Sequence, residues 1–184
     1  MRRTLVRAVL GALLVVTPSL GSATENSNAE EHAGLLHLIQ TDEFCYVIGD
    51  SVRISYTVTN VTTEPIGILL PMVSCPVWLR VYAPGGGEEL WVDPPGCTGE
   101  AGGIWLQPDE TMRRDDVWPM RSIYTGQPID EPGVYAAEGE LFTIDSSIYF
   151  TIEVGFQVLD ESSGIAPGET ELPVSWGTIK AIYH

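Results

Sequence analysis

Basic side chains are scarce in this sequence. The 184 residues carry 9 Lys and Arg against 25 Asp and Glu, a formal net charge of -16. A surface this negative repels a phosphate backbone, so nucleic acid is not expected as a partner. Histidine is rarer still: His32, His37 and His184 lie near the two ends of the chain. They form no HxH, HExxH or Cys/His spacing, so neither a metal nor any other cofactor is expected. Mobile termini also cannot hold a general base in place, which argues against a catalytic histidine. No serine has a GxSxG context, and Ser163-Gly164 falls in a linker-like stretch. Without a DxDxDG-type loop, the pairs Asp109-Glu110, Asp115-Asp116 and Asp130-Glu131 read as a solvated acidic rim and not as calcium ligands. The chain is therefore expected not to be an enzyme.

Long apolar runs are also missing beyond the first residues. Arg2, Arg3 and Arg7 precede or interrupt an apolar stretch from Leu5 to Val16, and Gly21-Ser22-Ala23 supplies small residues for cleavage. That order is the order of an export signal over residues 1–23, with a secreted or extracytoplasmic product. No later stretch reaches the roughly 20 apolar residues of a transmembrane helix, so no membrane span is expected. Residues 24–34, TENSNAEEHAG, have no apolar period and read as a flexible leader. One domain is expected over 35–159, followed by a linker over 160–173 and a tail over 174–184. In that tail Ser175 can cap a turn that puts Trp176, Ile179 and Tyr183 on one face. It reads either as a docking or sorting element or as a tail that packs on its own domain.

What the chain has in quantity is turn formers, 19 Gly and 13 Pro, and residues that alternate in polarity. Val52, Ile54, Tyr56 and Val58 fall on one face of Ser51 to Asn60 and Arg53, Ser55, Thr57 and Thr59 on the other, the pattern of a half-buried strand. Similar segments are Phe44 to Ile48, Pro65 to Leu70, Val77 to Tyr82, Leu90 to Val92, Gly103 to Leu106, Thr111 to Trp118, Val134 to Phe142 and Ile148 to Leu159. Turn signals such as PGGG, DPPG, QPDE and DEPG separate them, and the sum is an all-β sandwich. Asn60-Val61-Thr62 matches a glycosylation acceptor but reads first as a strand end entering a turn.

One hairpin can be placed in register. With Val81 opposite Leu90 across Pro84 to Gly87, Leu79 meets Val92, Arg80 meets Trp91 and Tyr82 meets Glu89. Arg80 over Trp91 then shields the outer sheet face. The register puts Cys75 one residue out of step with Cys97, an offset that a bulge in Pro94 to Gly96 absorbs. With an oxidising compartment, Cys75–Cys97 is the expected disulfide among the pairings of three cysteines. Cys45 is left over, read first as a buried inert thiol and second as a reactive or intermolecular one.

YTVTNVTTEPI (Tyr56 to Ile66) resembles the strand and polar turn of the intracellular proteinase inhibitor family, the BsuPI-type domain. The likeness continues in order through WLRVYAPGGGEELW (Trp78 to Trp91), Leu106 to Glu110 against an L-x-P-G-E turn, Val117-Trp118, and Glu131-Pro-Gly-Val-Tyr135. Asp109 stands where the family has glycine, and a cysteine-bearing Gly96 to Gly103 loop precedes that turn. The resemblance implies an immunoglobulin-like antiparallel sandwich that inhibits serine proteinases of the subtilisin type; founding members are cytoplasmic, and the export signal makes this chain a secreted form. It transfers no reactive-site residues. Loop chemistry nominates Pro94 to Gly103 for the inhibitory loop, with Pro71 to Pro76 next. A cell-surface or extracellular interaction module is the alternative. A carbohydrate-binding sandwich comes third, and would use Trp78 and Trp91 as a row of exposed aromatics.

Overall fold

A computed structural model describes residues 26–70, 75–93, 99–145 and 147–160. The export signal, the tail, nearly all of the linker and Cys97 lie outside the described residues. The strands are β1 (Asn26–His32), β2 (Leu35–Thr41), β3 (Cys45–Val47), β4 (Val52–Asn60), β5 (Ile66–Leu70), β6 (Val77–Tyr82), β7 (Glu89–Asp93), β8 (Gly102–Leu106), β9 (Thr111–Trp118), β10 (Gly133–Leu141) and β11 (Phe150–Leu159). No helix occurs among the described residues. One sheet runs β1-β2-β4-β9 and the other β3-β11-β10-β6-β7, with a separate ribbon β5-β8. All pairs are antiparallel except β3 with β11. The all-β sandwich is therefore the fold.

Alternation explains how the layers close. Val52, Ile54, Tyr56 and Val58 from β4 meet Val77, Leu79 and Val81 from β6, and Val154, Phe156 and Val158 from β11, in one buried cluster. Each such side chain stabilises the fold by about 1.5 to 3 kcal/mol when fully buried. Trp118 at the end of β9 is enclosed, its ring 5.7 Å from Tyr135 and 6.1 Å from Phe156 between centroids. Asn60 ends β4 without exposure. Its amide donates to Glu64 O at 2.8 Å and Leu106 O at 2.9 Å, so it is a fastener between the β4 and β8 ends, as the strand-end reading requires.

Two expectations are corrected. The segment 24–34 is not a flexible leader throughout, because Asn26–His32 forms β1 and pairs with β2 over its whole length. Ala33 at φ 51° and Gly34 at φ 77° supply the two left-handed residues of a tight hairpin turn. The strand is polar because it is held by hydrogen bonds across the sandwich: Asn26 Nδ2 donates to Gly155 O at 2.5 Å and Asn28 Nδ2 to Glu153 O at 2.8 Å. His32 and His37 consequently sit in ordered strands and not in a mobile end.

The β6–β7 register is the second correction. Only Tyr82↔Glu89 pairs as expected; beyond it Val81 meets Trp91, Arg80 meets Val92 and Leu79 meets Asp93. A bulge at Leu90 shifts the ladder by one residue, so the irregularity lies there and not first at Pro94 to Gly96. Leu90 and Trp91 are both buried, which a strict period of two forbids. Trp91 therefore faces the core, and Arg80 lies over Trp78 instead, 5.5 Å from its ring centroid. The row of exposed aromatics that a carbohydrate reading needs does not form.

Candidate functional site

The described strand ends that flank the two nominated loops are neighbours. Leu70↔Gly102 closes the β5–β8 ribbon, and Leu79↔Asp93 is the last described pair of β6–β7. In chain order 71–76 joins β5 to β6 and 94–101 joins β7 to β8, so both connections link the same two strand pairs. Residues 71–74 and 94–98 lie outside the described residues. The bases of both connections are fixed. Trp78 Nε1 donates to Cys75 O at 3.2 Å, Phe142 N donates to Pro76 O at 3.2 Å, and the Phe142 ring lies 5.5 Å from that of Trp78. Leu69 O accepts from Thr143 Oγ1 at 2.6 Å and from Ile144 N at 2.9 Å, which ties the end of β5 to the segment after β10.

Three large apolar side chains are exposed on the ribbon and next to it: Leu69 at 56% and Trp105 at 67%, the latter three residues from Gly102 toward the ribbon's other end, and Ile144 at 58%, whose N donates to Leu69 O. Sequence reasoning passes over all three. Gly67 faces Trp105 and Gly103 faces Leu69 in the ribbon register. A Cβ at Gly67 would lie 3.0 to 3.3 Å from three atoms of the Trp105 ring, so the indole rests over bare backbone with its other face open. The available signal is the pairing of I-G-I-L-L with G-G-I-W-L, glycine set opposite a large apolar residue three times. Contiguous apolar side chains left in water mark interaction surfaces.

A charged network stiffens the outer face of β6, β7 and β10. Arg80 Nε lies 3.2 Å from Glu89 Oε2, and its Nη1 lies 3.1 Å from Glu138 Oε1 and 2.5 Å from Glu140 Oε2. Tyr82 Oη donates to Glu138 Oε1 at 3.2 Å, and Tyr124 Oη donates to Glu89 Oε1. Burial raises the Glu138 carboxyl above its usual range against the pull of Arg80 and Tyr82. Burial, then the neighbouring carboxylates, push the Tyr82 and Tyr149 phenols up to about 12. Arg80 of β6 reaches carboxylates of both β7 and β10, so the network braces the three strands. At the foot of β7, Arg114 Nε donates to Asp93 Oδ2 at 2.7 Å, holding the start of the 94–101 connection from the facing sheet. Burial and a hydrogen bond with Asp116 raise the Asp93 carboxyl despite Arg114.

The remaining candidates are placed as follows. Cys75 directly precedes β6, while Cys97 lies outside the described residues, and the expected bridge with it. Cys45 is a free, half-buried thiol at the start of β3, its Sγ 4.0 Å from Gln157 Oε1. No group of three or more His, Cys, Asp or Glu able to hold a metal ion occurs among the described residues. No helix among them is long and apolar enough to cross a membrane.

No protein-family model matches the chain, and no curated protein does. Solved structures similar to it include a β-glucosidase from Erythrobacter marinus, with a TM-score of 0.40, 12% identity, and 73% of this chain and 16% of that chain covered. A cycloisomaltooligosaccharide glucanotransferase from Paenibacillus gives a TM-score of 0.38 at 14% identity, covering 76% of this chain and 15% of that one. A CARDB domain from Pyrococcus furiosus gives 0.35 at 12% identity, over 77% of this chain and 99% of that one. The chain thus spans about one sixth of the length of the two glycoside-acting proteins. At such TM-scores the likenesses carry no argument about function.

Proposed function

We propose that this chain is an extracytoplasmic, non-catalytic sandwich that binds a protein through the β5–β8 ribbon and the 71–76 and 94–101 connections, and that a subtilisin-like serine proteinase is its first target class. The observation that carries the binding reading is the exposed trio Leu69, Trp105 and Ile144, on and next to a ribbon whose 71–76 connection is hydrogen-bonded at both bases and whose 94–101 connection starts at Asp93, held by Arg114. Protein interfaces gain most of their affinity from a few large anchors. A substrate-like inhibitor also needs a loop ordered before binding, because ordering it afterwards consumes contact energy.

The inhibitor reading rests on the ordered motifs that resemble the BsuPI-type family. Their positions support that resemblance at the level of fold. Asp109, in the place of the family's glycine, has φ 62°, the left-handed conformation glycine favours. Trp118 is enclosed in the core, and Tyr135 Oη donates to Glu131 O at 2.6 Å, as in a tyrosine corner. That corner at the start of β10, with the order β3-β11-β10-β6-β7, supports an immunoglobulin-like assignment.

The test is a steady-state inhibition assay of the full chain against subtilisin and trypsin, with a C75S/C97S variant alongside. Micromolar or tighter inhibition that weakens without the two cysteines supports the reading. Complete hydrolysis of the chain, or no inhibition at about a hundredfold excess over enzyme, removes the inhibitor and leaves the interaction module, for which the same exposed trio is the binding surface.

A further inference from the structure

The first sheet ends on a long strand with nothing paired to its outer side among the described residues: β9 follows β4 in the order β1-β2-β4-β9. The ladder fixes which backbone groups are left over. Arg53 O accepts from Asp42 N and Val61 N donates to Gly34 O, so odd-numbered residues of β4 serve the β2 side. Even-numbered residues serve β9, consistent with Asn60 N donating to Glu110 O. Because Val52↔Trp118 and Ile54↔Asp116 are partners, even-numbered residues of β9 point their N–H and C=O toward β4. Thr111, Arg113, Asp115 and Val117 point theirs outward.

The other edges of the two large sheets differ from it. The segment after β9 covers β7, with Ile123 N donating to Leu90 O at 2.8 Å; β3 has three residues; and β1 is fastened to β11 by Asn26 and Asn28, whose amides donate to Gly155 O and Glu153 O. The edge of β9 is eight residues long, contains no proline and carries the order Arg113-Arg114-Asp115-Asp116. Exposed charges on an edge ordinarily discourage pairing. Here their order selects one arrangement instead.

We propose that β9 pairs antiparallel with β9 of a second copy of this chain, about a two-fold axis through Arg114, joining two four-stranded sheets into one. In that register Arg113 lies opposite Asp115 of the second copy and Asp115 opposite its Arg113, while Thr111 and Val117 oppose each other at the ends. All four are outward-bonding residues, as a directly hydrogen-bonded antiparallel pair requires. Sliding by two residues in either direction sets Arg113 against Arg113 or Asp115 against Asp115. Sliding by one opposes outward-bonding residues to inward-bonding ones. On the outer face charge complementarity therefore singles out one register and one partner, itself; on the inner face Arg114 meets Arg114 of the second copy, each already held by its own Asp93.

The groups involved are free to do this. Arg113 and Asp115 side chains are 62% and 55% exposed, and their present contact is with each other, Nε to Oδ2 at 2.7 Å on the outer face. Pairing would extend that contact into an alternating set of four charges. One local bond must give way, from Val117 N to Asp116 Oδ1 at 2.7 Å, and Thr111 O of the second copy would replace it. The inference stands apart from the proposed function, because β9 carries none of the exposed trio.

Sedimentation equilibrium of the full chain, over about 1 to 500 µM, tests it. Wild type is expected to form a dimer. Arg113→Asp and Asp115→Arg, each alone, oppose like charges twice across the axis and should raise the dimer Kd by about tenfold or more. The double variant restores opposite charges and should recover the wild-type Kd to within about threefold. Hydrogen exchange of wild type gives a reading without substitution: the Arg113 and Asp115 amides should slow as concentration rises. A wild-type chain monomeric throughout, a dimer indifferent to both single reversals, a double variant that does not recover, or amides indifferent to concentration would overturn the proposal.

Discussion

Gly139 of β10 lies under the ring of Tyr56 of β4, so close that a Cβ at Gly139 would sit 2.5 Å from Tyr56 Cδ2 and 2.6 Å from Cγ. The two sheets approach through this contact, and it explains a glycine in the middle of a central strand, where glycine otherwise weakens pairing. Gly139→Ala must push the enclosed ring aside. It is expected to cost about 1 to 3 kcal/mol, seen as a lower urea midpoint with an unchanged slope. An unchanged midpoint would mean that the sheets part freely at this point.

The same tyrosine holds His37, whose Nδ1 is 2.7 Å from Tyr56 Oη. His37 is fully buried and stacks against Phe150, and its Nε2 has no hydrogen-bond partner. Burial first, and then the charge of His32, lowers its pKa from 6.5 to about 4, against the pull of Glu30. The folded state therefore resists protonation that the unfolded chain accepts at pH 6.5. The corresponding stability is present above pH 6.5 and is lost as pH falls toward 4, on the order of 3 kcal/mol. NMR titration of the ring is expected to show it neutral down to about pH 4. A midpoint near 6.5 would place the ring in water.

Asp109 adopts φ 62° in the turn between β8 and β9, where Glu110 Oε2 accepts from Gln107 N at 2.8 Å. Asp tolerates this conformation better than most residues, but glycine adopts it without strain. Asp109→Gly should raise stability by up to about 1 kcal/mol, and Asp109→Val should lower it by about 1 to 2 kcal/mol. Thermal melts of the two variants should move in opposite directions. Movement in one direction would show that the turn is held by something other than its backbone.

The observed β6–β7 register sharpens the disulfide expectation. Cys75 is four residues before Leu79 and Cys97 four after Asp93, and Leu79↔Asp93 is a pair. By count alone the 79/93 register gives 75/97, so the expected pairing needs no second offset. Non-reducing peptide mapping should recover a Cys75–Cys97 peptide, with Cys45 alkylated without reduction. Removing the bridge should cost about 3 kcal/mol in the chain-entropy model. A Cys45-containing disulfide would contradict the register.

The strands that bury an alternating face were readable because the chain must place those residues in one layer: Val52 to Val58 and Val77 to Val81 alternate in sequence and in burial alike. What was not readable shares a physical cause. β1 is fastened by Asn26 and Asn28 to β11 carbonyls, and amide bonds to a distant strand leave no period in the sequence. The Leu90 bulge buries two adjacent residues, so counting by twos carried Trp91 to the wrong face. The signal for Trp105, a glycine opposite a large apolar residue, is legible only once β5 and β8 are paired, since Gly67, which leaves room for its ring, is distant in sequence and adjacent only in the ribbon.

Binding of a protein at Leu69, Trp105 and Ile144 is the centre of the proposed function. Its most direct measurement is the subtilisin inhibition constant of the full chain beside that of Trp105→Ala, a change on the exposed face of a ribbon that leaves the core cluster intact. The wild-type chain is expected to inhibit and the variant to have a constant at least about tenfold weaker, the size of effect expected from losing a central aromatic anchor, with equal thermal midpoints. Equal inhibition by the two proteins, or none by either at about a hundredfold excess over enzyme, would contradict it.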